Sequence, residues 1–516
     1  MLKNRRLVGS LAATVAIIAL MVTFSSIMFA EAPGSGWWTS FTLQNPSNTA
    51  TVSVGVIDAK IQQDGNTALD TASSGTCPIL PGRSVIFNPG QTPNYKADGS
   101  GGTRIGIGPK CESGQLGAGF QGSVVISSDG PLAAVVSIGN NENGSVGVAG
   151  GKASAFYQGI SVTDKSLNFP VAKNNFFNQT TTYAVQAVTD ASVTVQFSNN
   201  VACKIGPLDI NAGRSRTITM PTCLTGDAAY AASATSTTGN IVGTIMEHPH
   251  SESPASFALS TRAFTGQDAD TVLYAPILKN SFFGGSTGLA VQNVGPGSAT
   301  VVVDFTITAS EPSQTACSAS SSVAVVLANP GNSAIFGGSA DKNLPAGFAN
   351  GCFGAGKIRV TAGTGKIVAT VNETSGQGKA VYSASPASGA SNTVAVPLVK
   401  EDFFGGRTAV TVQAVGASTE DTAIVAKYTN SGACSAGCSV TPNNGGAGAT
   451  TIKGGQANNF RRLNNFSSQY GGTLPAIGTN NSVIFTSTGL PIVAIAQESA
   501  MVAGTLDVKN YEGFKQ

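Results

Sequence analysis

The chain has 516 residues, which is too long for one hydrophobic core and predicts about three to five domains. Charged residues are 11% of the total, and 29 Lys and Arg against 27 Asp and Glu leave a formal net charge of +2, which argues against nucleic acid as a partner. Gly contributes 63 residues, and Val, Ile and Ala occur in short runs, a composition typical of β-strands joined by many turns.

The N-terminus predicts export. Three basic residues precede an uncharged apolar stretch that runs from Leu7 to Ala30. The core of an export signal has about 7–15 apolar residues and a membrane-spanning helix about 20, and this stretch has the second length. A cleaved signal peptide and a retained anchor helix therefore both stay open for residues 1–32. In either case we expect the chain from about Ser35 onward to be extracellular or on the cell surface, with membrane attachment through Leu7–Ala30 in the second case.

A strand pattern that contains glutamine recurs four times and marks an internal repeat. The spacing between successive copies is close to the size of an immunoglobulin-like domain, about 100 residues. Each copy is followed by a small polar turn and a second alternating strand, so each pair of strands is predicted to form a β-hairpin. The repeat glutamines are Gln44, Gln186, Gln292 and Gln413, and the second strands cover residues 51–56, 192–197, 300–305 and 422–428.

Each unit closes with a continuous apolar run behind a Gly turn, which suits a strand buried on both sides. The last three units also share an opening segment with a proline, a lysine three residues later and then a Phe-Phe pair. Proline is expected in an edge strand or at its first residue, so this segment predicts a short opening strand capped by an aromatic corner. The corner residues are Phe176, Phe177, Phe282, Phe283, Phe403 and Phe404.

One repeat corresponds to one domain. The sequence thus predicts an all-β chain of four tandem immunoglobulin-like β-sandwich domains behind the N-terminal signal or anchor helix. The predicted boundaries are 1–32 for the N-terminal segment, and 33–163, 164–268, 269–389 and 390–516 for the four sandwiches.

Eight cysteines in an exported chain predict disulfides, and the repeat places one pair in each unit. Three pairs occupy corresponding places: Cys77 with Cys111, Cys203 with Cys223, and Cys317 with Cys352. The fourth unit has no counterpart of Cys352, so Cys434 is predicted to pair with Cys438. Metal ligation is the alternative, but no Cys-x-x-Cys motif recurs and the chain has only two histidines.

Those two histidines, His248 and His250, flank Pro249 and follow Glu247 just after an apolar strand. A Glu-His-Pro-His segment offers metal ligands, but the matching positions of the other units carry no histidine, and the spacing is that of no zinc signature. We therefore expect an exposed loop, with His248 and His250 as a weak metal candidate, and we expect no cofactor.

A lysine recurs at the opening strand and a glutamate recurs just past the closing strand of the last three units. They are Lys173, Lys279 and Lys400, and Glu247, Glu373 and Glu498. Since first and last strands are often neighbours in sandwiches, a Lys–Glu contact is predicted in each unit. An isopeptide bond would need an asparagine beside each glutamate, but only Asn372 fits, with Met246 and Gln497 at the matching places. The sequence favours ion pairs, worth under about 1 kcal/mol when exposed.

The third unit, from about Ala275 to Tyr382, carries the repeat in its clearest form. It joins the Pro-Lys-Phe-Phe segment, an Ala-Val-Gln-Asn strand, a Leu-Pro-Ala-Gly-Phe loop at 344–348 and an Ile-Val-Ala-x-Val-Asn-Glu strand. This pattern resembles tandem immunoglobulin-like or fibronectin-like repeats of surface proteins from filamentous bacteria. The second and fourth units match in part, and the first departs at its start. The resemblance implies a surface location and a sandwich architecture, and it carries over no catalytic residue.

Enzymatic chemistry needs a convergent nucleophile, base and orienting group, or paired carboxylates. The sequence contains no His-Glu-x-x-His and no phosphate loop, so we expect a protein that is not an enzyme. The expected role is an S-layer, sheath, filament or stalk component that associates with itself or with other envelope components, which low charge favours. A surface adhesin or carbohydrate-binding protein, with a polysaccharide as partner, is the alternative.

Overall fold

A computed structural model describes residues 23–28, 37–47, 49–65, 67, 71–87, 120–140, 153–197, 203–251, 257–310, 317–337, 343–375, 378–403, 405–429, 438–442, 451–460, 470–472, 477–502 and 505–515. Over these residues the chain is all-β, as predicted, with one short 3-10 turn at Ala387–Gly389 and no α-helix. No helix in this part of the chain is long and apolar enough to cross a membrane.

The first segment forms two four-stranded sheets that share one hydrophobic cluster, which includes Leu43, Ile126 and Val136. The inner sheet, which holds the repeat glutamine, has the order β5-β2-β7-β8, and the outer sheet has the order β1-β6-β3-β4. The strands are β1 (Thr23–Met28), β2 (Trp37–Gln44), β3 (Val52–Ile61), β4 (Thr71–Ile79), β5 (Ser84–Phe87), β6 (Gly122–Ser128), β7 (Ala133–Asn140) and β8 (Ala153–Gln158).

The second segment repeats this organisation around a cluster that includes Phe169, Val185 and Val195. Its inner sheet has the order β13-β10-β15-β16 and its outer sheet the order β12-β11-β14-β9. The strands are β9 (Ser166–Asn174), β10 (Gln179–Ala187), β11 (Ala191–Phe197), β12 (Lys204–Ile210), β13 (Ser215–Ile218), β14 (Ala228–Ser236), β15 (Ile241–Pro249) and β16 (Leu259–Arg262).

The third segment has an inner sheet β21-β18-β23-β24 and an outer sheet β20-β19-β22-β17-β25. Its cluster includes Val291, Val303 and Phe348. The strands are β17 (Val272–Asn280), β18 (Gly285–Asn293), β19 (Ala299–Ser310), β20 (Ser320–Leu327), β21 (Ser333–Gly337), β22 (Cys352–Gly363), β23 (Ile367–Ser375), β24 (Gly378–Ser383) and β25 (Ser385–Pro386).

The fourth segment contains the same two groups of strands, but β26 pairs with both β33 and β27 and joins them into one sheet. Its path runs β32-β29-β28-β33-β26-β27-β34-β35, and β30, β31 and β36 pair with β28, β27 and β26. The strands are β26 (Thr393–Phe403), β27 (Gly406–Ala414), β28 (Asp421–Thr429), β29 (Cys438–Pro442), β30 (Thr451–Lys453), β31 (Ala457–Phe460), β32 (Tyr470–Gly472), β33 (Thr479–Ser487), β34 (Ile492–Val502), β35 (Thr505–Glu512) and β36 (Phe514–Lys515).

The structure corrects the end of the predicted N-terminal helix. Strand β1 pairs antiparallel with β6, so six residues of the stretch from Leu7 to Ala30 are extended, not helical. Their sequence, Thr-Phe-Ser-Ser-Ile-Met, includes β-branched residues that also suit a pleated strand, and the apolar character alone does not separate the two. Residues 1–22 and 29–32 of the predicted segment lie outside the described residues.

The predicted hairpins are wrong. The glutamine strand and the strand after it do not pair: β10 pairs with β13 and β15, whereas β11 pairs with β12 and β14. The connecting turn crosses from the inner to the outer sheet, and in the third segment the buried amide of Asn293 donates to Gly297 O at 2.7 Å across that turn. Alternation identifies the buried face of a strand but not the sheet to which the strand belongs.

The closing strands β7, β15, β23 and β34 each lie between two strands of the inner sheet, as their apolar runs predicted. All nine residues of β15 are buried. The opening strands β9, β17 and β26 are also present, and the register of each shifts at its proline, which is Pro170, Pro276 or Pro397. A bulge accommodates a residue that has no N–H to contribute to the ladder.

The four segments contact one another in a closed ring through their last inner strands. Thr261 Oγ1 of β16 lies 2.8 Å from Ser383 Oγ of β24, and the backbone N–H of Ser383 donates to the Glu512 carboxylate of β35. The ring returns to the first segment where Phe156 of β8 packs edge to face on Tyr511, with centroids 5.8 Å apart.

The remaining contact joins the first two segments, where Ala155 of β8 packs on Ala258, the residue before β16. Four strands from distant parts of the sequence, β8, β16, β24 and β35, thus meet at one junction. The chain links each segment only to the next one in sequence. The contact between the first and fourth segments, which closes the ring, is therefore made by packing.

Candidate functional site: buried lysine–glutamate pairs and aromatic corners

The predicted lysine–glutamate contacts are present in all three segments. Each lysine lies on the opening strand of the outer sheet and each glutamate on the closing strand of the inner sheet. The pairs are Lys173 with Glu247, Lys279 with Glu373, and Lys400 with Glu498, the last at 2.8 Å. The glutamates are almost fully buried, so solvent and salt screen these pairs less than they would screen exposed ones.

A threonine that sequence reasoning missed positions each lysine. The hydroxyls of Thr181, Thr287 and Thr408 accept the backbone N–H of Lys173, Lys279 and Lys400 at 2.9, 2.9 and 3.0 Å. Each threonine lies five residues before a repeat glutamine, and Thr39 has the same place before Gln44. That constant spacing is the signal by which these residues could have been found.

A buried tyrosine holds the proline bulge beside each pair. The hydroxyl donates to the carbonyl of the residue after the proline: Tyr183 to Val171 at 2.9 Å, Tyr382 to Ile277 at 2.6 Å, and Tyr511 to Leu398. Burial raises the pKa of all three phenols, and the nearby glutamates raise it further, so the hydroxyls remain protonated donors.

Two of the three carboxylates also accept hydrogen bonds from a side-chain amide of the next segment. The Asn372 Nδ2 atom lies 2.9 Å from both carboxylate oxygens of Glu247, and Gln497 Nε2 lies 2.6 Å from Glu373 Oε2. Between the first and second segments the corresponding contact is apolar. Met246 of the second segment packs in the hydrophobic cluster of the first, which contains Ile138. The position before the repeated glutamate therefore reaches into the preceding segment.

The third carboxylate, in the fourth segment, has a different environment. Glu498 lies between Lys400, at 2.8 Å, and Lys509, at 3.4 Å. Burial by itself would raise the pKa of Glu498, but attraction to the two ammonium groups lowers it below its ordinary value. The carboxylate is therefore ionised at neutral pH although it is 2% exposed.

The repeat glutamines lie in the buried interior and several bridge segments. Gln292 Nε2 donates to Ala232 O of the second segment at 3.2 Å, and Gln413 Nε2 donates to Gly356 O of the third at 3.2 Å. Gln186 donates to Gly213 O within its own segment at 3.1 Å. The amide atoms of Gln44 have no hydrogen-bond partner among the residues that the structure describes. Gln292 and Gln413 thus connect neighbouring segments, and Gln186 connects two parts of its own segment.

The aromatic corners are tight turns that expose a phenyl ring. Phe177 is 58% exposed and Phe283 is 73% exposed, and both have positive φ angles, 51° and 45°. Their neighbours Phe176 and Phe282 are half-buried and pack edge to face against them. Phe403 is half-buried too. Phe404 lies outside the described residues.

The structure contains the predicted disulfides Cys203–Cys223 and Cys317–Cys352, with sequence separations of 20 and 35. Cys111 and Cys434 lie outside the described residues, as do the side chains of Cys77 and Cys438. The pairs Cys77–Cys111 and Cys434–Cys438 therefore stay predictions.

The two histidines do not share a surface loop. His248 is 5% exposed at the end of β15, whereas His250 is exposed and its Nδ1 lies 2.6 Å from Thr180 Oγ1. Burial lowers the pKa of His248. Within the described ranges, no three His, Cys, Asp or Glu side chains gather in a way that could hold a metal ion. The expectation of an exposed loop is therefore wrong for His248.

A cavity of about 340 Å³ lies where the four last strands meet, and all four segments line it, with Gln158, Arg262, Ser383 and Glu512 among its walls. Arg262 donates to Asp268 at 2.7 Å. Burial would lower the pKa of Arg262, but the Asp268 carboxylate raises it above its ordinary value. Arg262 is thus paired with Asp268, and Glu512 accepts the Ser383 backbone N–H.

No protein-family model matches this sequence, and no curated protein is significantly similar to it.

Proposed function

We propose that this protein is an exported structural component of the cell surface, of the S-layer or sheath class, built from four immunoglobulin-like β-sandwich domains with the boundaries predicted above. The paired sheets around one cluster in successive segments support the sandwich assignment. The two disulfides support an oxidising compartment, which agrees with the export predicted from the N-terminus.

The observation that carries the proposal is the pair of exposed aromatic corners. A bulky residue with positive φ is strained by roughly 1–3 kcal/mol, and such strain persists where the exposed geometry is useful. Phe177 and Phe283 have this conformation at the same corner of consecutive segments, and both residues are exposed. Repeated apolar rings on a protein of low charge suit lateral association with further copies.

The closed ring favours a lattice or sheath subunit over an extended stalk. The first segment already packs against the fourth through Val135 and Phe156, which lie in the cluster of the fourth segment. These inner surfaces are therefore occupied within one chain and do not offer a free end to which another segment would add. Assembly would use the outside of the ring.

The test is self-assembly of the purified protein. We expect the wild type to form ordered sheets or tubes at high concentration by electron microscopy, and the double variant Phe177→Asn, Phe283→Asn to stay dispersed. Asparagine tolerates positive φ, so the backbone of the corners is preserved. Val326→Ser, which alters another exposed side chain (66%), is the matched control and should assemble as the wild type does. A wild type that is monomeric at every concentration would contradict the proposal.

The second candidate is a carbohydrate-binding adhesin, which a cavity of about 270 Å³ beside the second-segment corner favours. Phe176, Phe177 and Tyr230 line it together with polar groups of Gln179 and Asn343. Aromatic walls with a few polar groups are typical of small-ligand sites. Binding on a glycan array that the Phe177→Asn variant loses would support this function, and an array without signal would reject it.

A further inference from the structure

The three glutamates at the repeat position are equivalent in the fold but not in what faces them. Glu247 faces the carboxamide of Asn372, Glu373 faces that of Gln497, and Glu498 faces the ammonium group of Lys509. Along the chain, Asn372 is next to Glu373 of its own unit. The ring instead brings the asparagine from the following segment to the lysine–glutamate pair.

We propose that Lys173 and Asn372 form an intramolecular isopeptide bond that links the second and third segments covalently, with Glu247 as the catalytic residue that transfers the protons. The three groups meet around one carboxylate. Lys173 Nζ contacts Glu247 Oε2, and Asn372 Nδ2 lies 2.9 Å from each of the two Glu247 oxygens.

The reaction exchanges one amide for another. The Lys173 ammonium gives a proton to Glu247, and the neutral amine attacks Cγ of Asn372 to form the new C–N bond. The bond from Cγ to Nδ2 then breaks, Glu247 protonates the departing nitrogen, and the proton lost from the attacking nitrogen returns to the carboxylate. The products are the Lys–Asn amide and one ammonia, and no oxidant, metal or other reactant is needed.

Burial keeps solvent away from the reacting groups. Glu247 is 1% exposed and the Lys173 side chain is 12% exposed. Pro170 and Val171 form apolar walls of the adjoining cavity. Gln179 Oε1 accepts from Lys173 Nζ at 2.5 Å and orients the amine beside the carboxylate.

Asn372 is the only one of the three facing groups suited to this reaction. Its Oδ1 atom is buried and has no hydrogen-bond partner among the described residues, so nothing there ties its carbonyl to another group. Gln497 contacts one oxygen of Glu373 and is also held by Asn510 Oδ1 at 3.2 Å. Lys509, at the third pair, has no carbonyl to attack. We therefore expect one bond and not three.

Peptide mass spectrometry of the folded, full-length secreted protein tests the bond directly. After reduction, alkylation and trypsin digestion, we expect peptide 166–204, uncut at Lys173, joined to peptide 367–379. The mass of the joined pair should be lower than the sum of the two peptides by one ammonia, about 17 Da. Recovery of a peptide that ends at Lys173 together with a free, unmodified Asn372 peptide would overturn the proposal, as would a glycan on Asn372.

Three variants separate the bond from the ion pair. Lys173→Arg keeps the positive charge beside Glu247 but cannot form the amide, and Glu247→Gln keeps the size of the side chain but cannot transfer protons. We expect both to lose the joined peptide completely. Lys279→Arg, at the equivalent pair of the third segment, is the matched control and should keep it. A joined peptide that persists in Glu247→Gln, or disappears in Lys279→Arg, contradicts the assignment. The disulfide Cys203–Cys223 in each variant reports that the second segment has folded.

Discussion

Ser482 Oγ donates a 2.8 Å hydrogen bond to the carbonyl oxygen of Gly82, which lies 400 residues earlier in the chain. The bond is buried and connects β33 of the fourth segment to the turn before β5 of the first. Together with the packing of Phe156 on Tyr511 it closes the ring. The stability of the terminal segments is therefore coupled, although they are the most distant in sequence.

Removing the ring of Phe156 should destabilise this junction. Phe156 is 3% exposed, packs on Tyr511 and lies 5.2 Å from Lys509 Nζ. We expect Phe156→Ala to lower the free energy of unfolding by about 3–5 kcal/mol, because it leaves a cavity between segments. Urea denaturation measures this loss. Val326→Ala, at an exposed position, should stay within about 0.5 kcal/mol of the wild type. A loss of similar size in both variants would argue against a packed junction.

Acid should weaken the pair formed by Lys400 and Glu498. Because the folded pKa of Glu498 is below its ordinary value of 4.5, the ionised carboxylate stabilises the fold above that pH, and this stabilisation is lost as the pH falls through the folded pKa. Glu498→Gln breaks a buried pair and should cost about 3–5 kcal/mol at neutral pH, with a smaller difference from the wild type in acid.

Urea denaturation at about pH 7 and about pH 3 tests this prediction. Asp402→Asn is the control, because Asp402 is 37% exposed in its side chain and pairs with Arg407 at 3.1 Å. It should change stability by less than about 1 kcal/mol. If Glu498→Gln is equally destabilised at both pH values, the titration of Glu498 is not the cause.

His248 should make the fold sensitive to mild acid. Burial lowers its folded pKa below the ordinary value of 6.5, so the unfolded chain binds the proton more readily. The neutral imidazole therefore stabilises the fold above about pH 6.5, and this contribution is lost as the pH falls below it. We expect Tm to decrease between about pH 7.5 and pH 5.5 in the wild type and in His250→Gln, and to decrease less in His248→Gln. Equal pH dependence in all three proteins would contradict this role.

Gln413 and Gln44 hold the same place in the repeat but should respond differently to substitution. Gln413 donates to Gly356 O and to Gly455 O, at 3.2 and 3.0 Å. Gln413→Leu should destabilise the protein by about 1–3 kcal/mol, since it removes both hydrogen bonds. Gln44 is buried and its amide makes no hydrogen bond to the described residues, so Gln44→Leu should be neutral or stabilising. Chemical denaturation compares them, and an equal loss in both would refute the bridging role of Gln413.

The sequence anticipated features that recur at fixed places from one unit to the next. Lysine and glutamate at fixed places in the opening and closing strands predicted a contact that is present three times, and the same spacing paired Cys203 with Cys223 and Cys317 with Cys352. Local pattern is sufficient for this because a repeated unit places its own strands in the same way each time. The local pattern also placed the closing strands in the interior, since a continuous apolar run is buried on both faces of its strand.

Only the tertiary structure decided which strands pair and which segments meet. Alternation in β10 and β11 is compatible with a hairpin or with two sheets. In the structure the two strands lie in different sheets and pack their apolar faces into one shared cluster. Asn372 is next to Glu373 in sequence, but its amide contacts Glu247, 125 residues away. Such contacts depend on the ring, in which each segment buries its inner surface against the next. Packing between segments depends on whole surfaces, so the residue pattern of a single unit does not predict it.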